Sequence, residues 1–542
     1  MARNPTRILP SRARLRRLLE RGYFPSELPP PFTTADFASH SLQFAANWSG
    51  RDIRRFWSRA ETYTVPRYGH SRRSLSIVNP VNQLHVADLI ASNWAEIRQR
   101  LRRSQVSEFN PRISLRGNGR AITGVNFDAV SSRKAEILAS YGRYVQTDIV
   151  RFYPSIYTHS IAWSLLGKEW CKSNHRSPRY QRSFAAHLDK AIAAGQEGQT
   201  SGIPIGPDTS RIVSELVAVE IENILRDSLP DFDERTVRYV DDMIIGLEDA
   251  EAPSSVLSPL SQSLFEYELE LSGEKTSIHG IGYPHAPEWI NYIRTFVISD
   301  RAARQRDDLN SFFEQALHLS DENQRENVLL YAVKRAASFV LDESNVEHLV
   351  RWLLYCSRRE TRCLSFVAEF LASYPDQANL PSDEIEHFIL QQIPIRTQSA
   401  QTDEIAWLLF WSREIELTLP AAYITNLVRL RSSALAMLSL DLRSRGLLEG
   451  SANLSGWRAS ATEDGLRSEM WLVAYEATKK GWWRAREQGS AYIEDHEFFG
   501  DIWRADIEFY DPGRRARRRI TPSIFSNLVT RTGLAPSLEY PI

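Results

Sequence analysis

The stretch Arg-Thr-Val-Arg-Tyr-Val-Asp-Asp-Met-Ile-Ile-Gly-Leu, residues 235–247, carries the sharpest local signal in the chain. Two apolar runs flank the adjacent acids Asp241 and Asp242, which predicts a strand, a tight turn and a second strand. Two neighbouring carboxylates at such a turn repel each other unless a divalent cation binds them. The stretch therefore predicts a metal site at the edge of a sheet, with an ordinary surface turn as the alternative.

A third acid lies upstream in a second apolar strand pattern. Asp148 stands in Val-Gln-Thr-Asp-Ile-Val, residues 145–150, within a strand candidate that spans 143–153. A lone acid in such a pattern usually ends a strand or forms an ion pair. Three acids on neighbouring strands could instead hold two Mg²⁺ ions about 4 Å apart, which clamp an attacking hydroxyl and a departing pyrophosphate.

Between these acids lies a loop bracketed by glycines. Residues 201–210 read Ser-Gly-Ile-Pro-Ile-Gly-Pro-Asp-Thr-Ser, and an apolar face predicts a helix over 209–226. Gly202 and Gly206 would let the backbone approach a ligand closely, because glycine has no side chain. The alternative is an ordinary capped loop before a helix.

The remaining pattern divides the chain near residue 300. Before that point, prolines favour an extended segment over 22–31, alternation predicts a short hairpin over 61–80, and periodicity predicts helices over 84–104 and 159–172. After it, strand signals end and amphipathic helices follow one another at a spacing that would suit a HEAT-like solenoid. No repeat is visible in the letters themselves.

Composition excludes several classes of protein. Of the 542 residues, 42% are hydrophobic and 25% charged, which is typical of a soluble globular chain. The formal net charge of −1 does not indicate nucleic-acid binding. Arginines nevertheless cluster over 3–21 and 514–519, where they could form phosphate-binding patches or belong to solvated tails. Three cysteines exclude a disulfide framework. No apolar run approaches the ~20 residues of a membrane span, so we expect a cytoplasmic protein.

The aromatic stretch 471–510 has two interpretations. Its tryptophans and phenylalanines stand beside arginines and could stack on single-stranded bases. Such residues more often form a core or a subunit interface, and we favour that interpretation. A homo-oligomer is therefore also expected, since symmetric assembly is common.

The order of the acidic and glycine-rich segments resembles that of reverse transcriptases. Four segments match the motifs of that family in sequence: Asp148 motif A, residues 202–210 motif B, residues 239–242 motif C, and Lys275, in Gly-Glu-Lys-Thr, the motif D lysine. Upstream, Val65-Pro-Arg67 and Arg73-Ser-Leu-Ser-Ile-Val-Asn-Pro resemble the fingers segments that grip the triphosphate. The resemblance covers roughly residues 20–295 and is weak beyond.

One departure from the family pattern narrows the resemblance. Template-copying reverse transcriptases usually carry Gln in motif B, as Pro-Gln-Gly, whereas this chain has Pro204-Ile205-Gly206. That form, with the opening Tyr-Phe-Pro-Ser-Glu-Leu-Pro-Pro at 23–30, resembles the bacterial abortive-infection (Abi) and related defence-associated reverse transcriptases, of the AbiK-like branch.

The resemblance implies an α+β right-hand polymerase followed by an all-α, HEAT-like C-terminal domain. It assigns the N-terminal segment and fingers to residues 1–140 and the palm with its catalytic motifs to residues 141–298. The helical domain would take residues 299–542.

The resemblance also implies the catalytic residues. Asp148 and Asp241 would be the principal ligands of two Mg²⁺ ions, for which Mn²⁺ could substitute. Asp242 would be a further ligand or a support, and the carbonyl of Ile149 would add a ligand. Lys275 could protonate the departing pyrophosphate, with a solvated surface lysine as the alternative.

Further residues would bind the incoming dNTP. Arg67 and Arg73 would hold its phosphates, and Arg72 could replace Arg73, because a register shifted by one residue fits as well. Tyr153 matches the position whose bulk excludes a ribose 2′-hydroxyl, or else it packs in the core. Ile205 and Gly206 would line the pocket near the incoming base.

The implied activity is that of an RNA-directed DNA polymerase, or DNA nucleotidyltransferase, in antiphage defence. Ile205 favours template-independent synthesis primed on a protein hydroxyl, which would leave the DNA product covalently attached to the chain. Copying of an RNA template, such as a non-coding RNA, is the alternative. Two hypotheses of another kind remain: an inactive palm that binds RNA or another partner, and a helical region that acts as the output of a polymerase sensor.

Overall fold

The computed structural model describes the chain over the ranges 11–117, 119–125, 127–280, 288–374, 377–482 and 489–516. Residues 3–10 and 517–519 of the two arginine clusters lie outside these ranges, as does Trp483 of the aromatic stretch.

The first part of the described chain mixes helices with two short hairpins. Its elements are α1 (Ser11–Arg21), α2 (Ala35–Trp48), β1 (Glu61–Pro66), β2 (Arg72–Ile77), α3 (Pro80–Ser92), α4 (Trp94–Leu101), β3 (Phe109–Ile113), β4 (Ile122–Val125) and α5 (Phe127–Ser140). Two arginines of the first cluster are buried: Arg14 donates to the Ala91 carbonyl and Arg17 donates to the Gly117 carbonyl. These two residues are therefore part of the packing and not a solvated tail.

The hairpin predicted over 61–80 is confirmed. Strands β1 and β2 pair antiparallel from Glu61 opposite Ile77 to Pro66 opposite Arg72, which leaves residues 67–71 as the turn. One face of the hairpin is buried through Tyr63, Leu75 and Ile77.

The middle of the chain builds a four-stranded antiparallel sheet. Its elements are β5 (Arg143–Thr147), α6 (Phe152–Ser155), α7 (His159–Leu166), α8 (Lys168–Asn174), α9 (Pro178–Gln181), α10 (Phe184–Ala194), α11 (Asp208–Ser228), α12 (Phe232–Arg235), β6 (Thr236–Tyr239), β7 (Asp242–Leu247), α13 (Ser254–Phe265), β8 (Ser277–Gly280) and α14 (Glu288–Thr295). The strand order is β6-β7-β5-β8, and every neighbouring pair is antiparallel. The long helix α11 is buried along most of its length.

Some predicted elements are shorter than the sequence pattern indicated. The helix predicted over 84–104 divides into α3 and α4 at Asn93, whose side chain donates to the Leu89 carbonyl and ends the first helix. The helix predicted over 159–172 breaks at Gly167, where φ is 91°. The strand candidate over 143–153 ends at Thr147, because Arg151 adopts a left-handed conformation and starts a short helix.

Beyond residue 300 the described chain is almost wholly helical. Its elements are α15 (Ala302–Glu322), α16 (Val328–Ala336), α17 (Glu343–Arg359), α18 (Leu364–Ala372), α19 (Ser382–Gln398), α20 (Thr402–Glu414), β9 (Leu419–Pro420), α21 (Ala421–Leu427), α22 (Ser433–Ser444), β10 (Leu448–Glu449), α23 (Ser455–Arg458), α24 (Glu463–Arg467), α25 (Trp471–Lys479), α26 (Ala491–Glu494) and α27 (Phe499–Arg504). Strands β9 and β10 form a parallel pair of two residues each, which an all-α prediction misses because such a pair is too short for periodicity.

The aromatic stretch 471–510 is core. Trp471, Phe498 and Phe509 are buried against aromatic rings from the start of the chain. The ring centroids of Phe37 and Phe509 are 5.4 Å apart, and those of Trp48 and Phe498 are 5.3 Å apart. The end of the described chain therefore packs on its beginning, which confirms the core interpretation of this stretch.

Helix α20 grips the β1–β2 hairpin through its first turn. The Thr64 amide donates to Thr402 Oγ1 at 2.7 Å, and Tyr63 Oη donates to Asp403 Oδ1 at 2.9 Å. The guanidinium of Arg72 makes a two-pronged ion pair with the fully buried carboxylate of Glu404, at 2.7 and 2.6 Å. The helical region therefore fixes the position of the hairpin.

Helix α22 adds a buried carboxyl group to the same contact. Ser432 Oγ donates to Glu61 Oε1 at 2.6 Å, and the Ala434 amide donates to the same oxygen at 3.2 Å. Among the described residues, Glu61 Oε2 has no hydrogen-bond partner. Burial raises the pKa of Glu61 to about 7, although the hydrogen bonds from Ser432 and Ala434 act in the opposite direction.

Within the described ranges, no helix combines the length and the apolar character that crossing a bilayer requires.

Glu61 makes stability depend on pH in a predictable direction. The folded protein keeps this proton up to about pH 7, whereas the unfolded chain releases it near its ordinary pKa of 4.5. Stability therefore falls as pH rises through this window, and Glu61→Gln should remove up to about 3 kcal/mol of that fall. Thermal unfolding of wild type and variant from about pH 5 to pH 8 measures it. Glu314→Gln, at an exposed site on α15, is the control; parallel curves for wild type and Glu61→Gln would contradict the assignment.

Candidate active site

The two adjacent acids lie at a tight turn between β6 and β7. Tyr239 pairs with Asp242, so Val240 and Asp241 form the turn itself. Val240 has a φ of 56°, which a β-branched residue rarely adopts and which costs about 1–2 kcal/mol. The turn is therefore held in place by its surroundings and not by its own preference.

The sheet brings Asp148 to the same end as this turn. Thr147 is the last residue of β5 and pairs with Met243, so Asp148 follows beside Asp242. Asp148 is buried, and a small cleft is lined by Asp148 and Asp241 together. Asp148 and the adjacent pair Asp241–Asp242, more than 90 residues apart in sequence, thus meet where β5 ends and β7 begins.

The adjacent carboxylates disfavour each other's charge. Burial, and then the neighbouring Asp241, raise the pKa of Asp242 to about 8. Burial also raises the pKa of Asp241, but the guanidiniums of Arg73 and Arg67 act in the opposite direction. Positive charge beside the turn would therefore stabilise the ionised forms of Asp241 and Asp242.

Lys275 brings a positive charge to Asp148, the first acid of the site. Its ammonium forms an ion pair with Asp148 Oδ2, and its backbone amide donates to the Ser272 carbonyl at 3.1 Å. Burial lowers the pKa of Lys275 to about 8, and the charges of Arg67 and Arg73 contribute. The predicted general acid thus lies against the first acid of the site, and with a side chain that is 44% exposed it also remains in contact with solvent.

Neighbouring arginines of the hairpin face different parts of the molecule. Successive side chains of a strand point to opposite faces, and Arg72 points to Glu404 of α20. Arg73 points the other way: burial lowers its pKa, and the charge of Asp241 acts against that effect. The charges of Arg67 and Arg73 thus act on Asp241, whereas Arg72 is paired with Glu404, an arrangement that favours the register with Arg73.

Tyr153 lies beneath the acids in a buried position. Its hydroxyl accepts a hydrogen bond from Ser214 Oγ of α11 at 3.0 Å, and its carbonyl accepts one from the Ile203 amide at 3.0 Å. Burial raises the pKa of its phenol, and the charge of Asp241 contributes to the same effect. Tyr153 is therefore both packed and close to the acids, so the two interpretations of this residue are compatible.

Ile205 and Gly206 connect the motif B loop to its neighbours. The Ile205 carbonyl accepts a hydrogen bond from the Ser76 amide of β2 at 2.7 Å, and its side chain is largely buried. Gly206 has a φ of 123°, and a Cβ there would lie 2.8 Å from Pro25 Cγ. Only glycine fits this position, because it packs on the opening segment of the chain.

A salt bridge anchors the start of the following helix. Asp208 is fully buried, pairs with the Arg120 guanidinium at 2.9 Å, and accepts from the Ile122 amide at 2.9 Å. Arg120 also donates to the Gly206 carbonyl at 2.5 Å. Both the loop and helix α11 thus have a fixed position relative to the β3–β4 hairpin, which carries Arg120 and Ile122.

The oxygen ligands at this edge have the chemistry that magnesium prefers. The pairing of Ile149 with Leu271 uses the carbonyl of Asp148 and the amide of Val150, which leaves the Ile149 carbonyl outside the ladder. Among the described residues, no three His, Cys, Asp or Glu side chains are arranged as a ready metal site. The carboxylates fit a divalent cation nonetheless, because it would relieve the repulsion that raises the pKa of Asp242.

Sequence reasoning missed the polar network beneath the turn. Arg238 is buried in β6 and forms ion pairs with Glu215 and Glu222 of α11. Two signals were available: an arginine inside an apolar strand, and two glutamates seven residues apart on one face of a helix.

Comparisons with known proteins give only distant matches. The sequence matches no protein-family model and no curated protein. Among solved structures, a telomerase of Candida albicans in complex with a fragment of telomeric RNA is 12% identical with a TM-score of 0.28. That match covers 73% of this chain, which spans 65% of the telomerase's length. An apo telomerase of Candida tropicalis is 9% identical with a TM-score of 0.30, over 77% of this chain and 74% of that one.

The opposite orientation of Arg72 and Arg73 predicts different effects of the same substitution. Arg73→Gln should weaken binding of a fluorescent dNTP about tenfold, because it removes the guanidinium expected to hold the phosphates. Arg72→Gln should lower the melting temperature through loss of the Glu404 pair, with binding within about threefold of wild type. Fluorescence anisotropy and thermal unfolding of both variants measure these effects. Equal loss of binding in the two variants would show that the orientation is wrong.

Proposed function

We propose that this chain is a DNA polymerase of the reverse-transcriptase type that joins dNTPs with the help of two Mg²⁺ ions. The observation that carries the proposal is the convergence at one sheet edge. Asp148 and the Asp241–Asp242 turn meet there, and the charges of the Arg67 and Arg73 guanidiniums act on Asp241. Carboxylates for metal beside guanidiniums for phosphate suit a nucleoside triphosphate.

Each residue has a proposed role that follows from its position. Asp148, Asp241 and Asp242, with the Ile149 carbonyl, would hold Mg²⁺ or Mn²⁺. When bound, these ions would activate the attacking hydroxyl and neutralise the departing pyrophosphate. Lys275, already among the acids, would carry a proton toward the leaving group, and a pKa of about 8 suits that transfer near neutral pH.

The nucleotide pocket would be closed by the hairpin and the motif B loop. Arg67 and Arg73 would hold the phosphates, because planar guanidinium groups match phosphate geometry. The buried Tyr153 would exclude a ribose 2′-hydroxyl and favour dNTPs. Ile205 and Gly206 would approach the base, and the hydrogen bond from Ser76 to Ile205 ties this loop to the hairpin.

The finer part of the proposal concerns template, primer and biological role. Ile205 in place of the usual Gln supports template-independent synthesis primed on a protein hydroxyl, with DNA attached to the chain. Synthesis on a non-coding RNA template is the alternative. We further propose a cytoplasmic homo-oligomer in antiphage defence, with fingers to residue 140, a palm over 141–298 and a HEAT-like region over 299–542.

A second candidate function rests on the contact between Lys275 and Asp148. Because an ammonium already neutralises this carboxylate, the acids could serve structure in a palm that only binds RNA or another partner. The two candidates differ in whether Mg²⁺ and dNTPs are consumed.

Incorporation of labelled dNTPs with Mg²⁺ and no added nucleic acid tests the proposal. The double variant Asp241→Asn, Asp242→Asn should reduce the rate of incorporation at least about a thousandfold, because the metal ligands lose their charge. The matched control is Asp321→Asn with Glu322→Gln, an adjacent exposed acid pair on α15. Products are treated with protease or nuclease before denaturing gels.

The outcomes separate the alternatives. Label that migrates with protein and survives RNase pretreatment supports protein-primed, template-free synthesis. Incorporation that requires added RNA supports a templated enzyme. A folded wild-type protein that incorporates nothing under either condition would favour the binding palm.

A further inference from the structure

Arg238 connects the candidate catalytic turn to the helix beneath it. The side chain is almost fully buried, and one guanidinium nitrogen, Nη1, donates to the Val240 carbonyl at 2.7 Å. The same group makes a two-pronged pair with Glu215, at 3.1 and 2.7 Å, and Nε donates to Glu222. Four hydrogen bonds from one planar group thus link β6, the turn and α11.

The network is completed from the side of β3. Ser107 Oγ donates to Glu215 Oε1 at 2.7 Å, and the Arg238 amide donates to the Val106 carbonyl at 2.9 Å. The Arg238 carbonyl in turn accepts from the Glu108 amide at 3.0 Å. Both the backbone and the side chain of Arg238 therefore have fixed partners.

The Val240 carbonyl, which accepts the hydrogen bond from Arg238, lies directly before the first acid of the turn. Val240 holds a left-handed conformation that its branched side chain disfavours, and its carbonyl immediately precedes Asp241. If the grip on this carbonyl were released, the peptide between Val240 and Asp241 could rotate toward an unstrained turn. The side chain of Asp241 would then leave the cleft that it lines together with Asp148.

We propose that Arg238 is a positioning residue that fixes the Val240–Asp241 peptide and so sets the affinity of the acids for divalent cations. Glu215 and Glu222 hold its guanidinium in place. The proposal deepens the polymerase function and rests on it for the role of the metal. Arginine suits this position because a planar fork can reach the carbonyl and both carboxylates at once, whereas a lysine ammonium cannot.

The chain provides a matched control in Arg235, three residues upstream. Arg235 is also buried and makes a two-pronged pair with Glu251, at 2.9 and 3.1 Å. This pair lies at the other end of β6 and makes no contact with the turn among the described residues. Arg235→Met therefore removes a part-buried, two-pronged Arg–Glu pair without releasing Val240.

The experiment measures Mn²⁺ binding by electron paramagnetic resonance, and Mg²⁺ and dNTP dependence of incorporation, on full-length protein. Arg238→Met should weaken Mn²⁺ binding and raise the half-saturating Mg²⁺ concentration about tenfold, with the KM for dNTP within about threefold. Arg238→Lys should be intermediate, and Arg235→Met should match wild type in both. Should Arg238→Met fail to fold, Glu215→Gln weakens the interaction that holds the Arg238 guanidinium, and glutamine is nearly the same size as glutamate.

Two results would overturn the inference. One is a folded Arg238→Met or Glu215→Gln variant with wild-type Mn²⁺ binding. The other is an equal loss in Arg235→Met, which would show a general effect of destabilisation. Wild-type Mn²⁺ binding that depends on Asp241, Asp242 and Arg238 but supports no incorporation would keep the positioning role and reject the polymerase.

Discussion

Two carboxylates on consecutive residues at the end of a buried sheet impose the constraint around which this molecule is arranged. Asp241 and Asp242 repel each other, and their partial burial makes the repulsion stronger because fewer water molecules screen it. Positive groups come from separate parts of the chain: Arg67 and Arg73 of the hairpin act on Asp241, and Lys275, in the turn before β8, pairs with the neighbouring Asp148. The sheet, the hairpin and the motif D segment are thus held together by a shared electrostatic requirement as well as by apolar packing.

The hairpin that carries the arginines depends in turn on the end of the chain. The hairpin is held by Thr402, Asp403 and Glu404 of α20, and Glu61 at its start is held by α22. These buried contacts argue against a helical output region that could be removed by truncation while the rest of the chain stays intact. Removal of the helices would leave Arg72 and Tyr63 without their buried partners and loosen the hairpin that carries Arg73.

Local patterns were readable from the sequence, and long-range contacts were not. The turn at Asp241, the hairpin and helix α11 follow from alternation and periodicity within a few residues. The choice between Arg72 and Arg73 depends on which face of β2 meets α20, a contact between residues more than 300 positions apart. The Arg238 network was missed because its glutamates lie on another element, 16 and 23 residues away. The two-residue pair of β9 and β10 is too short to leave a pattern.

The alternation of Arg72 and Arg73 restricts how this hairpin can change in length. One residue inserted or deleted within β2 would exchange the two faces and turn the guanidinium that meets Glu404 toward the acids. The same change in the turn at 67–71 would leave both faces as they are. Natural variation in the length of this segment should therefore be confined to its tip, while the parity of the strand stays fixed.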